Sequence, residues 1–164
     1  MKPEFTPIGL IHSPHKEQKG TPIQPHLAEG VEGTVELYQE FAPGLRDLEG
    51  FERIWLLCWL DRVCQFRLEV VPYLDTQTHG VFATRAPSRP NSIGLSCVRL
   101  LTVEGARLRV ADLDILDGTP LLDIKPYVPD FDVFEVSRVG WYAHAGRSRQ
   151  ADNRFAQHSI DKPK

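Results

Sequence analysis

The stretch IGLSCVRLLTVEGARLRVADLDI, residues 93–115, decides the fold class. Ile93–Val103 is long enough for a strand, Glu104-Gly105 is a turn signal, and Ala106–Ile115 returns, so the segment reads as a β-hairpin. In the returning strand the inward set runs Leu108, Val110 and then Leu113, Ile115. Strand side chains alternate with a period of two, so this slip predicts a β-bulge at about Ala111-Asp112. A bulge re-aims side chains. Asp112, Asp114 and Asp117 are therefore either turned toward a ligand or merely end the strand and satisfy turn donors.

Immediately upstream, GVFATRAPSRPNSIGLS (80–96) carries Arg85, Arg89 and Asn91 among prolines. Pro87 and Pro90 fix φ and remove backbone donors, so no helix or central strand runs through 86–91. Two arginines are held on a stiff loop, where clamping an anion costs them less entropy. A plain surface turn with solvated arginines is the alternative. Downstream, LDGTPLLDIKPY (116–127) has the same rigidity and the opposite sign, with Asp117, Asp123 and Lys125 beside Pro120 and Pro126. A basic and an acidic rigid loop in one small domain suggest a ligand bearing both charges.

Farther out, more strands follow. Phe5–Ile11 reads as a first strand. Val31–Tyr38 alternates, with Val31, Gly33, Val35 and Leu37 on one face. Pro43–Gly50 reads as a helical turn or two with Leu45 and Leu48 inward. Arg53–Leu60 is apolar almost throughout and reads as a central strand covered on both faces, with a buried helix as the rival that eight residues make short. Gln65–Tyr73 reads as an edge strand ended by Pro72, and Val139–Ala143 as a last strand or a partner contact. Residues 147–159 read as a polar helix and 160–164 as disordered. The domain expectation is a barrel over 1–146 and a polar C-terminal helix and tail over 147–164. Strand count and short spacings predict an all-β, β-rich single small barrel with short peripheral helices. No G-x-G-x-x-G follows a strand and no βαβ rhythm exists, which excludes a Rossmann fold.

The chain has 164 residues and a net charge of −3, enough for one real core and not a general polycation. Charge is distributed in blocks: residues 1–75 carry −5, 76–111 carry +4, 112–136 carry −6 and 137–164 carry +4. Such blocks can make a basic face for RNA or intermix on folding. Cys58, Cys64 and Cys97 leave one thiol unpaired, which reads as a reduced, cytoplasmic compartment. The start, MKPEFTPIGL, lacks a signal peptide's apolar stretch, and no 18-residue apolar run exists, so no membrane role is expected. His12 and His15 lie in a loop without a carboxylate or cysteine cluster at ligand spacing, so no metal is expected.

The segments GVFATRAPSRPNSIGLS and LDILDGTPLLDIKPY strongly resemble the TrmO (TsaA-like) tRNA methyltransferases. IGLIHSP (8–14), TPIQP (21–25) and GLRDLEGFERIWLL (44–57) follow in the family's order. The resemblance implies S-adenosyl-L-methionine held on a β-barrel, with the cofactor site completed across a homodimer. It also implies methyl transfer to the N6 nitrogen of N6-threonylcarbamoyladenosine beside the anticodon of a threonine tRNA, and no DNA partner. The positions matching its cofactor contacts are Pro22, Ile23, Gln24, Arg89, Asp117, Gly118, Thr119 and Pro120, with Asp61 and Arg62 beside them. Asp61 stands where a His is expected.

Chemically, Arg89, and then Arg85, suit the methionyl carboxylate. Asp117 or the carbonyls of Gly118 and Thr119 suit the ammonium and sulfonium. Pro22, Ile23, Gln24 and Leu95 suit the adenine. Asp117, Asp123 and Lys125 are the catalytic candidates, although Asp123 and Lys125 equally suit a structural ion pair. Arg85, Lys125 and Tyr127 are candidates for RNA contact, Tyr127 by stacking. The alternative function is a non-catalytic S-adenosylmethionine- or nucleotide-binding regulatory module. A metal-dependent hydrolase using the loop histidines is a third.

Overall fold

A strand that alternates apolar and polar residues buries one face, and six such strands share one interior if the sheet closes on itself. A computed structural model of the chain describes residues 4–156. Its strands are β1 (Gly9–His12), β2 (Gly33–Leu37), β3 (Arg53–Trp59), β4 (Glu69–Val70), β5 (His79–Gly80), β6 (Ile93–Glu104), β7 (Arg107–Ala111) and β8 (Thr119–Pro126). Six of them form a closed antiparallel barrel in the order β1-β2-β7-β6-β3-β8, while β4 and β5 pair apart. The expected β-rich barrel is what forms.

Ile11, Val35, Ile54, Leu56, Val98, Leu108, Val110 and Leu121 converge in the interior with no exposed surface. Burying each contributes about 1.5–3 kcal/mol relative to exposure. Leu45 and Leu48, carried on 3-10 turns at Gln39–Leu45 and Leu48–Gly50, extend the same core. β3 is not covered on both faces as its composition suggests. Ile54, Leu56 and Cys58 point in, and Trp59 remains 49% exposed, because a barrel strand has only one interior side.

The hairpin forms, with Glu104 opposite Arg107 and Gly105 at a left-handed φ of 61°. The extra residue lies on the other strand: β6 and β7 shift register between Leu100 and Thr102. At the expected slip, β7 ends at Ala111 and Asp112 takes φ 63°, which turns Leu113 and Ile115 back inward. Asp tolerates that conformation better than most residues. Its carboxylate accepts from the Gly30 N–H at 2.9 Å and from Arg53 Nη2 at 2.8 Å. Of the two readings of the acidic run, Asp112 follows the structural one.

Other expectations change. β1 starts only at Gly9. Gln65–Tyr73 shrinks to the two-residue β4, and Phe66 and Leu68 are exposed. Val139–Ala143 holds no strand: a 3-10 turn spans Gly140–His144, with Trp141 stacked on His79 at 4.9 Å. The described part of 147–159 is extended, with one 3-10 turn at Asn153–Phe155, and the remainder together with 160–164 lies outside the described residues. Backbone pairing wins there: Ala151 N–H donates to Thr21 O at 2.8 Å, and Gly20 N–H to Ala151 O at 2.9 Å. Among the described residues no helix is long and apolar enough to cross a membrane.

Candidate functional site

A cavity of about 520 Å³ opens beside the start of β6, a size typical of small-molecule sites. β3 and β6 contribute Cys58, Ile93, Gly94, Leu95 and Ser96 to it, and Leu60 follows just after β3. The arginine loop adds Thr84, Arg85, Pro87 and Arg89, and the segment after β7 adds Asp114, Ile115, Leu116 and Thr119. Pro22, Ile23 and Gln24 line it from the proline loop, and Ala151 and Phe155 from the C-terminal strap. The close approach of β3 and β6 needs Gly94, since a Cβ there would stand 2.7 Å from Cys58 Sγ.

Each wall is braced by its own polar contacts. Arg85 Nη1 donates to Gln24 Oε1 at 2.7 Å, joining the arginine loop to the proline loop. Arg89 Nη1 donates to Thr84 O at 2.8 Å and Val81 O at 3.0 Å. One edge of its guanidinium is thus spent on holding the bend, while the residue still lines the cavity. Arg62 Nη2 donates to Asp117 O at 2.7 Å and Nη1 to Lys16 O at 3.1 Å, tying three segments together at the rim.

Of the residues expected at the cofactor, Pro22, Ile23, Gln24, Asp61, Arg62, Arg89, Leu95 and Thr119 line this cavity, and so does Arg85. Asp117, Gly118 and Pro120 do not. The Asp117 carboxylate instead meets Lys16 Nζ at 2.6 Å and the Ser13 N–H at 3.0 Å. Lys16 first, then the Ser13 N–H, hold that carboxyl below the usual range. Asp123 and Lys125 lie on β8 outside the cavity and pair with each other at 2.9 Å. Tyr127 packs near Trp55, with ring centroids 6.0 Å apart.

Glu17, Asp61 and Asp114 are the acids that line the cavity, and of these Asp114 is flanked by the buried Leu113 and Ile115. Burial pushes its carboxyl up to about 7 against the opposing Ser96 hydroxyl. Its Oδ1 is buried without a hydrogen-bond partner among the described residues, as are Gln18 Oε1 and the Tyr73 hydroxyl, and all three residues line the cavity. Buried polar atoms normally find partners, so these three are left with unused hydrogen-bonding capacity at the cavity. Tyr73 and Phe155 meet edge-on at 5.1 Å. No motif pointed to Gln18, Tyr73 or Phe155, because segments far apart in the chain bring them to the cavity.

The histidines disperse: His15 Nε2 lies 2.9 Å from Leu113 O, and His12 lies near Glu36. Among the described residues no group of three His, Cys, Asp or Glu side chains is placed to hold a metal ion.

The family model for the tRNA-methyltransferase O N-terminal domain matches residues 10–133. A probable S-adenosyl-L-methionine-binding protein of Pyrococcus abyssi is 53% identical over 154 residues, covering 92% of this chain and 84% of its own. The tRNA (adenine(37)-N6)-methyltransferase of Escherichia coli is 38% identical over 136 residues, covering 77% of this chain and 58% of its own. The crystal structure of TrmO from Pseudomonas aeruginosa superposes with a TM-score of 0.72 at 42% identity, over 85% of this chain and 62% of that one. The chain thus spans about three fifths of the length of these last two relatives.

Proposed function

The chain belongs to the tRNA-methyltransferase O N-terminal domain family, and on that premise we propose that it is an S-adenosyl-L-methionine-dependent tRNA methyltransferase. Its target is the N6 nitrogen of adenosine beside the anticodon, in the N6-threonylcarbamoyl form, on a threonine tRNA. One observation carries the reading: a ligand-sized cavity lies between the arginine loop and the segment that begins at Asp114. The donor set fits the cofactor. Arg89 and Arg85 suit its carboxylate, Pro22, Ile23, Gln24 and Leu95 its adenine, and Thr119, Asp61 and Arg62 complete the rim. The three unsatisfied polar atoms supply the remaining hydrogen bonds.

When bound, the cofactor supplies an electrophilic methyl group. The target nitrogen is a poor nucleophile because its lone pair is shared with the purine and the carbonyl. The chain's main contribution is therefore alignment, which can supply roughly 7–11 kcal/mol of a barrier. Asp123 and Lys125, paired on β8, with Tyr127 suit contact with the RNA rather than the cofactor, and Arg85 at the cavity suits either.

We further propose that the active form is a cytoplasmic homodimer. The outer face of β3 and β6 leaves Trp59, Ile93 and Leu95 exposed by 41–49%, beside the cavity. After β8, Phe131, Val133, Phe134 and Val136 are exposed by 59–77%. Exposed apolar side chains of this size mark an interface, and a second copy covering Trp59, Ile93 and Leu95 would close the cavity's open side.

The test is titration of the purified chain with S-adenosylmethionine, followed by mass spectrometry of nucleosides from tRNA of a strain lacking the gene. The reading expects cofactor binding and loss of the methylated threonylcarbamoyl nucleoside. Binding without that loss would favour a non-catalytic cofactor-binding module.

A further inference from the structure

Of all polar groups in the cavity, Asp114 is the one whose isolation is most costly. Its Oδ1 is cut off from solvent and from any protein donor among the described residues. Leu113 and Ile115, both buried in the barrel core, anchor the backbone on either side, so the side chain has little freedom to leave. The groups facing it are the Ser96 hydroxyl on β6, the Cys58 thiol on β3 and, farther off, Arg85 on the arginine loop. Burial, and then the charge of Asp114, pushes the Cys58 thiol up to about 12, so it stays neutral and cannot neutralise a carboxylate. Arg85 is already engaged by Gln24. Asp117, the acid expected for this role, does not line the cavity and is neutralised by Lys16 at its rim.

A buried carboxylate without a counter-charge is unfavourable, and hydroxyl donors such as a ribose diol would leave its charge uncompensated. A cationic ligand resolves both the missing bond and the charge. We propose that Asp114 is the counter-ion for the positive charge of the bound ligand and makes the site prefer a sulfonium methyl donor to its thioether product. This rests on the methyl-donor reading of the cavity. Methyl transfer removes the sulfonium charge and leaves the rest of the ligand unchanged, so the same carboxylate that attracts the donor ceases to hold the product. Because burial holds the unliganded carboxyl near 7, protonation competes with the cation at lower pH, and the preference fades as pH falls through that value.

The test is calorimetric titration of the full chain with S-adenosylmethionine and, separately, S-adenosylhomocysteine, at pH 8 and pH 6. The proteins are the wild type, Asp114→Asn and the control Asp117→Asn. The ligand amino group is common to both titrants and cancels in the ratio of affinities. Wild type and Asp117→Asn are expected to favour the sulfonium by roughly tenfold at pH 8, the scale of one charge-assisted contact, and by severalfold less at pH 6. Asp114→Asn is expected to bind both ligands about equally at either pH. A ratio unaltered by Asp114→Asn, or a wild-type ratio flat between the two pH values, overturns the proposal and leaves the cofactor reading intact. A wild type that binds neither ligand overturns both. Should Asp114→Asn fail to fold, the wild-type pH series decides alone.

Discussion

Arg85 and Gln24, 61 positions apart, meet through a 2.7 Å hydrogen bond that joins the arginine loop to the proline loop across the cavity. The bond orients the guanidinium and sets the spacing of two walls. Gln24→Ala is therefore expected to weaken S-adenosylmethionine binding by roughly fivefold, about 1 kcal/mol. The contact is solvent-exposed, so the melting temperature should hardly move. Calorimetry with differential scanning fluorimetry checks both, and an unchanged affinity would remove Gln24 from the site.

Arg89 has two tasks, lining the cavity and bracing Thr84 and Val81. Arg89→Ala should weaken cofactor binding and also destabilise the fold by about 1.5–3 kcal/mol, the range for bonds that involve a charged group. Arg89→Lys keeps the charge but loses the planar fork and should recover only part of either. Equilibrium urea unfolding alongside binding separates the two effects.

Asp112 supports the turn after β7. Burial alone would raise its carboxyl, but the Gly30 N–H, the Arg53 hydrogen bond and the charges of Arg53 and Arg99 outweigh burial and hold it below the usual value. A depressed folded pKa gives stability that is present above the unfolded value of about 4 and is lost as pH falls through the folded one. Asp112→Asn should thus cost stability at pH 7, and its deficit relative to wild type should shrink below pH 4. Urea midpoints from pH 7 to pH 3 test this. A deficit that does not vary with pH would show that the carboxylate charge is immaterial.

Gly94 faces Cys58 across the β3–β6 ladder, and a Cβ would also stand 3.0 Å from Leu60 Cδ2. Gly94→Ala should destabilise by about 1–3 kcal/mol through overpacking and crowd Leu60 into the cavity, lowering cofactor affinity. Adding Cys58→Ala removes the sulfur and should restore part of the stability. A double variant no better than the single one would refute this steric account.

The exposed outer face of β3 and β6 predicts a concentration-dependent dimer. Trp59→Lys or Phe134→Asp should shift sedimentation toward the monomer and reduce cofactor affinity together. A wild type that sediments as a monomer at tens of micromolar sinks the dimer proposal, since an obligate interface would be closed there.

Much of this was legible in the residues. Alternation in 33–37 and 107–110 and the turn at Glu104-Gly105 sufficed for a β-barrel, because a period-two pattern buries only one face and six such faces need a common interior. Prolines at 87 and 90 sufficed to place two arginines on a rigid bend. These are local constraints, set by φ restriction and by which side of a strand a residue falls on.

What the chain order alone could not convey was which acid faces the cavity and what closes it. Asp112, Asp114 and Asp117 look equivalent in sequence, yet one left-handed residue at Asp112 directs them to three different neighbourhoods. Lys16, about 100 positions earlier, claims Asp117, while Asp114 lines the cavity with a buried oxygen that has no partner among the described residues. Residues 147–159 read as a polar helix, but pairing with Gly20, Thr21 and Ile23 holds 149–151 extended. Contacts of that kind are energetic competitions between segments distant in the chain, and only the folded arrangement decides them.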